Sequence, residues 1–299
     1  MSEANDVDLS AEKYERYREA GEILATVLEE AEEQVTVGTS HLEVAEFAED
    51  RIRELGGEPA FPVNISVNEE ASHATPERDS EVTFGEDMVC LDIGVHVDGW
   101  IADAATTIDL TDTPELVEAA EAALEAALET VAAGVHTGEV GTAIETTIDD
   151  YGYNPIVNLS GHGLDEYDAH TGPNIPNRAV ETGVELQVGD VVAIEPFATD
   201  GTGKVSEGST EEIFSLVEEK SVRDRRARQL IETVTEEYQR LPFAVRWFDD
   251  DRAKMSLRRL KLNDVVRGYP VLKEDEGRLV SQAEHTVIVT EDGCEITTQ

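Results

Sequence analysis

The stretch from Met88 to Asp103 constrains the fold most strongly. Two apolar runs rich in β-branched residues surround an Asp98-Gly99 dipeptide, which predicts a tight β-hairpin. If the chain reverses near residues 97–98, Asp92 and Asp103 face each other within about one register step, with Cβ atoms roughly 5 Å apart. Two carboxylates that close repel unless they share a proton or a cation. The hairpin alone leaves two interpretations equally open: half of a divalent-metal site, or ordinary strand acids that pair with backbone donors or an arginine.

The charge of the chain is its most unusual bulk property. There are 66 Asp and Glu against 23 Lys and Arg, a formal net charge of −43, and only 6 of the basic residues are lysines. Such a surface indicates a salt-filled cytoplasm, because the Debye length is only about 3 Å at 1 M salt. A disordered acidic protein is excluded, since hydrophobic residues make up 40% of the chain and recur periodically. We therefore expect a halophilic source.

Length and cysteine usage limit the protein class further. A chain of 299 residues can form one large domain or two small ones and can bury a substantial core. No run of about 18 apolar residues occurs, and the acidic N-terminus lacks the apolar core of a signal peptide. Cys90 and Cys294 provide no disulfide framework and fit a reducing compartment. We expect a cytoplasmic protein without membrane association.

Hydrophobic spacing predicts a mixed α+β chain in two similar halves. Helices are predicted over residues 11–34, from the Thr39-Ser40 cap to about residue 55, over 114–133, and over about 138–151. Strand-like segments follow each helix pair or lie between the pairs, which suits a pseudo-symmetric layered fold. The two halves are too dissimilar in sequence to be an internal repeat.

An inserted segment interrupts the second half. Residues 220–268 carry 13 Lys and Arg against 8 Asp and Glu, a net charge of +5, whereas the rest of the chain carries −48. Ser221 and Asp224 are predicted to open a helix, and two further short helices are predicted over residues 243–248 and 253–263. The predicted division is a main domain of residues 1–216 and 272–299 and an inserted helical, winged-helix-like subdomain of residues 217–271.

Five acid and histidine side chains interrupt apolar strands or glycine turns. They are Asp92, Asp103, His162 in Ser-Gly-His-Gly, Glu195 in Ala-Ile-Glu-Pro, and Glu284 in Gln-Ala-Glu-His-Thr. Acidic side chains are rarely buried unless they are paired or bind a metal. Four carboxylates and one imidazole suit two divalent ions such as Mn, Fe, Co or Zn, which could activate a bridging water.

In this order and context, the five residues resemble the pita-bread metallopeptidases, family M24. Over nearly the whole chain the sequence is similar to type II methionine aminopeptidases, whose class carries a helical insertion between the last two glutamates. The matching stretches are Phe61-Pro-Val-Asn, His73-Ala-Thr-Pro, Leu91-Asp-Ile-Gly, Leu159-Ser-Gly-His, Ala193-Ile-Glu-Pro-Phe-Ala-Thr, Leu241-Pro-Phe-Ala-Val-Arg-Trp, Tyr269-Pro-Val-Leu and Glu284-His-Thr. The resemblance implies a pita-bread fold with pseudo-two-fold halves.

The resemblance also implies a role for each residue. Asp92 binds one of two divalent metal ions (Co, Mn, Fe, Ni or Zn), His162 and Glu195 bind the other, and Asp103 and Glu284 bridge them. A water activated by both ions attacks the carbonyl after the N-terminal methionine, preferentially when the second residue is small and uncharged. Three further residues contact the substrate: His73 beside the metals, His170 at the oxyanion, and Phe61 in the methionine pocket.

Implied partners are nascent polypeptide N-termini, and the family favours monomers. The basic insertion additionally predicts contact with ribosomal RNA, against the simpler interpretation that its arginines pair with acids of the main domain. Two alternatives within the fold are a proline-specific peptidase and a non-catalytic ribosome-binding relative. The chain departs from the family at Ala74, Ala283 and Pro173-Asn174, all of which could alter the pocket without removing a metal ligand.

Overall fold

The computed structural model describes residues 7–181, 183–220, 222–248 and 252–299. The α-helices within these ranges are α1 (Glu12–Glu32), α2 (His41–Glu54), α3 (Pro114–Thr130), α4 (Thr137–Asp150), α5 (Arg225–Glu237) and α6 (Ala253–Lys261). A 3-10 helix spans Val245–Trp247. In the described part of the chain, no helix is both long enough and apolar enough to cross a bilayer.

The strands fall into four sheets. In chain order they are β1 (Glu58–Pro59), β2 (Asn64–Val67), β3 (Glu70–Ser72), β4 (Met88–Val97), β5 (Trp100–Asp109), β6 (Asn154–Pro155), β7 (Ser160–Asp165), β8 (Asp168–Pro176), β9 (Val191–Ile194), β10 (Phe197–Thr199), β11 (Ser206–Leu216), β12 (Phe243–Ala244), β13 (Val266–Lys273), β14 (Val280–Gln282), β15 (His285–Val289) and β16 (Cys294–Ile296).

The first half packs α1 and α2 against the sheet of β1, β4, β2 and β5. Ser40 caps α2 by accepting hydrogen bonds from the backbone N–H groups of Leu42 and Glu43, as its position predicts. Apolar residues at helical spacing on α1 and α2 meet the alternating side chains of the sheet. Their burial forms one core, which holds the β4–β5 hairpin rigidly from one side.

The hairpin exists, with its turn at Asp98 and Gly99, both at positive φ. The register places Asp92 opposite Ala105 and Asp103 opposite Gly94, so the reversal lies one residue later than predicted. The two carboxylates are therefore diagonal neighbours on one face and not a directly opposed pair. Diagonal neighbours are roughly 7–8 Å apart at Cα, still within reach of one shared ligand.

The second half repeats the arrangement with α3 and α4 against the sheet of order β16-β15-β9-β7-β8. The halves join where Glu284 and Ala105 exchange backbone hydrogen bonds, with N···O distances of 3.0 and 3.4 Å. Beside them, Thr286 Oγ1 accepts from the Asp103 N–H and donates to the Asp103 carbonyl, both at 2.8 Å. These contacts fix the acids of the two sheets at one seam.

The inserted segment extends from the long antiparallel pair β11 and β13, which β12 and β3 flank. Helices α5 and α6 cover this sheet and share a separate small core with it. Asp224 caps α5, whereas Ser221 lies outside the described residues. Of the helix predicted over residues 243–248, only Val245–Trp247 is helical, as a 3-10 turn. Phe243 and Ala244 instead form a two-residue strand that pairs with β11. Strand β13 begins at Val266, inside the range predicted for the insertion.

A buried ion pair attaches this segment to the first half. Arg246 of the 3-10 helix donates to the carboxylate of Glu49 on α2, and Trp247 Nε1 donates to the same carboxylate at 2.8 Å. Arg246 also donates to Thr75 Oγ1 at 2.6 Å, two residues from His73. Burial raises the pKa of Glu49 and lowers that of Arg246, and the charge of each partner opposes the shift of the other.

Replacing Glu49 with Gln should therefore destabilise the protein strongly, because it leaves the Arg246 guanidinium buried without a counter-charge. We expect a loss of about 3–5 kcal/mol in the free energy of unfolding, measured by denaturant titration. The matched control is Lys261→Gln, which removes an exposed ion pair with Glu211 and should cost less than about 1 kcal/mol. Equal losses in the two variants would contradict the importance of the buried pair.

Candidate metal centre

The five predicted ligands converge at the seam between the two halves. Asp92 and Asp103 lie on the hairpin, His162 on β7, Glu195 directly after β9 and Glu284 directly before β15. Ligand atoms of Asp103, His162 and Glu284 all lie within 4.8 Å of one another. His162 Nε2 lies 3.3 Å from Glu195 Oε1 and 3.9 Å from Asp103 Oδ2. Asp92 lines the same cavity, so the structure brings all five side chains together.

These groups are buried without a positive charge from the chain. Asp92, Asp103, His162 and Glu284 are at most 9% exposed. No lysine or arginine is among the described residues that line the cavity. Asp92 Oδ1 and Asp103 Oδ1 are buried and have no hydrogen-bond partner in the described part of the protein. Buried carboxylate oxygens without a partner are costly, which indicates that a ligand satisfies them.

The electrostatics of the cluster follow from this burial. Burial raises the pKa of Asp92 to about 7, although a hydrogen bond from Asp103 opposes the shift. Burial, together with the neighbouring acids, raises the pKa values of Asp103, Glu195 and Glu284 well above the ordinary range. Without a cation, the acids therefore share protons in order to avoid mutual repulsion.

The donor set fits divalent cations. Burial lowers the pKa of His162 to about 4, so its imidazole is neutral at pH 7 and free to act as a ligand. Carboxylates and imidazole together suit borderline divalent ions such as Mn, Fe, Co and Zn. Four carboxylates carry the charge that two such ions would neutralise. Gln282 Nε2 donates a hydrogen bond to Glu284 Oε2 at 3.0 Å and so orients that carboxylate.

Two glycines of the matching motifs have a local steric reason. A Cβ at Gly94, opposite Asp103, would lie 2.2 Å from the ring of Phe61, so only glycine lets this ring pack at the hairpin. A Cβ at Gly163 would lie 2.2 Å from the Gly172 carbonyl oxygen of β8. The glycine after His162 therefore allows the close strand pairing that brings His170 beside His162.

The three predicted substrate residues line the same cavity of about 230 Å³. The rings of His162 and His170 lie 4.5 Å apart. His73 is held at a positive φ of 64°, and its Nδ1 donates to the Pro270 carbonyl at 3.2 Å, which leaves Nε2 as the acceptor. Burial lowers the pKa of His73 to about 4 and that of His170 to about 3. Both rings are therefore neutral at pH 7.

The cavity also contains residues that sequence reasoning assigned no role. Asn64 lies opposite Asp92 in the sheet, and its buried Oδ1 has no hydrogen-bond partner among the residues that the structure describes. From the strands that carry the insertion come Ile213 and Tyr269, with Pro242 and Leu272 nearby. The Tyr269 ring contacts His73 edge to face at 5.2 Å and stacks on His170 at 6.3 Å. Asn64 and Tyr269 belong to the matching stretches Phe-Pro-Val-Asn and Tyr-Pro-Val-Leu, so the resemblance already indicated that they lie near the site.

The departures at Ala74 and Ala283 involve buried residues next to the site. Ala74 follows His73, and its carbonyl accepts from the Ile65 N–H at 2.7 Å. Ala283 precedes Glu284 and packs in the core of the second half. Neither of these two side chains is among the described residues that line the cavity.

Comparison with known proteins agrees with this centre. The model of metallopeptidase family M24 matches residues 15–291. A methionine aminopeptidase from Archaeoglobus fulgidus is 52% identical over 286 residues, which cover 95% of this chain and 98% of that protein. A second archaeal methionine aminopeptidase, from Methanocaldococcus jannaschii, is 47% identical and covers 97% of this chain and 100% of its own length.

Solved structures show the same fold. The crystal structure of a methionine aminopeptidase from Thermotoga maritima has a TM-score of 0.72 and 24% identity, and covers 97% of this chain and 98% of that one. These likenesses confirm the pita-bread fold predicted from the sequence. The family model and the identity to archaeal relatives over almost the whole length show that the chain belongs to metallopeptidase family M24.

Proposed function

We propose that this protein is a methionine aminopeptidase that removes the N-terminal methionine from nascent polypeptides, preferring a small and uncharged second residue. The observation that carries the proposal is the buried centre of four carboxylates and His162 at the base of a cavity lined by Phe61. The archaeal relatives of 52% and 47% identity, named methionine aminopeptidase, support the substrate.

In this proposal the acidic residues and His162 hold two divalent metal ions. Asp92 would hold one ion, His162 and Glu195 would hold the other, and Asp103 and Glu284 would be shared by both. Bound there, the ions would act as Lewis acids and would lower the pKa of a water molecule, which could then attack a peptide carbonyl at neutral pH. The ring position of His162 is supported by its glycine neighbours, and the carboxylate of Glu284 by Gln282.

The neutral histidines orient the substrate. His170 donates from its ring N–H to the oxygen on which negative charge develops during attack. His73, fixed by Pro270, accepts from the substrate through Nε2. Phe61 packs against the methionine side chain, whose apolar surface is removed from water in the cavity. Tyr269 supports both imidazole rings through its edge-to-face and stacked contacts.

We further propose the type II class and the division of the chain into a catalytic domain of residues 1–216 and 272–299 and an insertion of residues 217–271. Helices α5 and α6 with their own small core support the insertion. A proline-specific peptidase remains the alternative activity of this fold. The nearly complete mutual coverage with methionine aminopeptidases favours the first assignment.

A second proposal concerns the basic face of the insertion, defined as Arg225, Arg226, Arg252 and Arg259 around one cleft between α5 and α6, in which Arg259 pairs with Asp224 at 3.7 Å. Several other basic residues of the insertion form ion pairs with acids, as Lys254 does with Glu212 and Lys261 with Glu211. By contrast, Arg225 and Arg226 form no ion pair with any described residue. We propose that this face binds ribosomal RNA near the emerging nascent chain.

We also propose that the protein works as a monomer in a salt-rich cytoplasm. The net charge of −43 supports a salt-rich environment, and the free thiols of Cys90 and Cys294 support a reducing compartment.

The first prediction from the proposed function tests the metal ligands without reference to activity. After chelation, the protein should bind about two Mn²⁺ or Co²⁺ ions per chain in calorimetry, and Asp103→Asn should bind fewer ions or bind them at least tenfold more weakly. Asp98→Asn is the matched control, because it makes the same change in the turn of the same hairpin at an exposed residue. Equal metal binding by both variants would contradict the proposed centre.

The second prediction concerns the reaction. With Mn²⁺ or Co²⁺ in molar KCl, Met-Ala-Ser should release free methionine, and Asp103→Asn should lower kcat by about a thousandfold, because loss of a bridging ligand removes several kcal/mol of stabilisation. Asp98→Asn should retain normal kcat. Faster cleavage of Ala-Pro than of Met-Ala-Ser would instead support the proline-specific alternative.

The third prediction concerns the basic face. Arg225→Glu combined with Arg226→Glu should weaken co-sedimentation with ribosomes by at least tenfold at moderate salt, since phosphate contacts depend on these charges. Lys13→Glu with Lys204→Glu makes the same change in net charge outside the insertion. If both double variants co-sediment as the unmodified protein does, the insertion has no such role.

The fourth prediction concerns salt. The free energy of unfolding should rise by several kcal/mol between about 0.2 and 2 M KCl, because salt screens repulsion among the surface acids. Denaturant titration at each KCl concentration measures the change. A free energy that does not depend on KCl would exclude the proposed adaptation.

A further inference from the structure

Arg267 places a positive charge beside Tyr269, one of the residues that line the catalytic cavity. It lies two residues before Tyr269 on β13, so both side chains project from the same face of the strand. Its guanidinium lies 4.5 Å above the Tyr269 ring and donates to the Tyr269 hydroxyl. Tyr269 in turn lines the cavity and contacts both His73 and His170.

This guanidinium is exposed and has no acidic partner. Among the described residues it forms no ion pair, although the chain carries 66 acidic side chains, and Tyr269 is the one side chain to which it donates. Arginine presents five N–H donors, so most of them face solvent or an approaching ligand.

The distance from the metal centre fits a substrate that leaves the cavity in an extended form. The ring of His170 lies 4.5 Å from that of His162 and 6.3 Å from that of Tyr269, above which Arg267 lies. Added together, these three distances set an upper limit on the separation of Arg267 from His162. A peptide of about five extended residues, at roughly 3.3 Å each, spans that length. Because a carboxylate lies at the end of its side chain, fewer than five residues are needed for it to reach Arg267.

We propose that Arg267 is a specificity-determining residue that binds an aspartate or glutamate side chain between the third and fifth residues of the substrate. The inference rests on the proposed aminopeptidase function. A guanidinium held against an aromatic ring is oriented in advance, and its remaining N–H groups match the two oxygens of a carboxylate. The acidic surface would otherwise repel such substrates. Arg267 offsets that repulsion locally, beside Tyr269.

The test is a competition between two peptides in one reaction at fixed KCl. Met-Ala-Ser-Glu-Gly-Gly and Met-Ala-Ser-Gln-Gly-Gly are mixed in equal amounts, and mass spectrometry of the shortened products gives the ratio of their kcat/KM values. Arg267→Gln should lower the Glu-to-Gln ratio by about two- to fivefold, the range expected for one exposed ion pair. Moving the acid through positions three, four and five should show one position with the largest change.

Arg258→Gln is the matched control, because it removes the same charge from α6, whose residues do not line the cavity. It should leave the ratio unchanged. If Arg267→Gln slows both peptides equally at all three positions, the residue only supports Tyr269 and the inference is wrong. Failure of the proposed function is distinguishable, because the unmodified protein would then release methionine from neither peptide.

Discussion

Mutual repulsion among four buried carboxylates is the constraint on which the rest of this structure depends. Asp92, Asp103, Glu195 and Glu284 meet around His162 in a cavity to which the described chain contributes no lysine or arginine. Burial raises the pKa values of all four acids, so the fold holds them close at an energetic cost. Such a cluster is stable when cations satisfy it, which connects the geometry directly to metal-dependent hydrolysis.

The surrounding elements serve to keep these acids in place. Thr286 and the paired backbones of Glu284 and Ala105 join the two sheets at the seam. On the other side, the pair of Arg246 and Glu49 ties the insertion to α2 and holds the segment that follows His73. The proposed insertion thus contributes one wall of the cavity through Pro242 and Tyr269. Its place beside the cavity, and not only its charge, is the basis of the role in specificity that we propose.

Much of the fold could be predicted from local pattern. Helices α1 to α4 begin and end within a few residues of the predicted bounds, because their apolar spacing and caps are local signals. Family M24 and the pita-bread fold are confirmed by the comparisons. The individual metal-ligand roles stay predictions, although the five side chains do meet at one cavity.

What the sequence could not supply depends on long-range geometry. The diagonal relation of Asp92 and Asp103 follows from a turn formed by Asp98 and Gly99, one residue later than the predicted reversal, and a slip of one residue changes every cross-strand pair. The short strand at Phe243 pairs with a partner about 30 residues earlier in sequence, so tertiary pairing overrides the helical pattern. The contact of Arg246 with Glu49 likewise exists only once the insertion has docked.

Anomalous diffraction from a crystal of the protein grown with Mn²⁺ tests the central claim most directly. The account predicts two manganese peaks about 3.5–4 Å apart, with Asp103 and Glu284 between them and His162 beside one. A single peak outside these residues, or none at saturating Mn²⁺ with the four carboxylates still in place, would contradict a dinuclear centre at this seam.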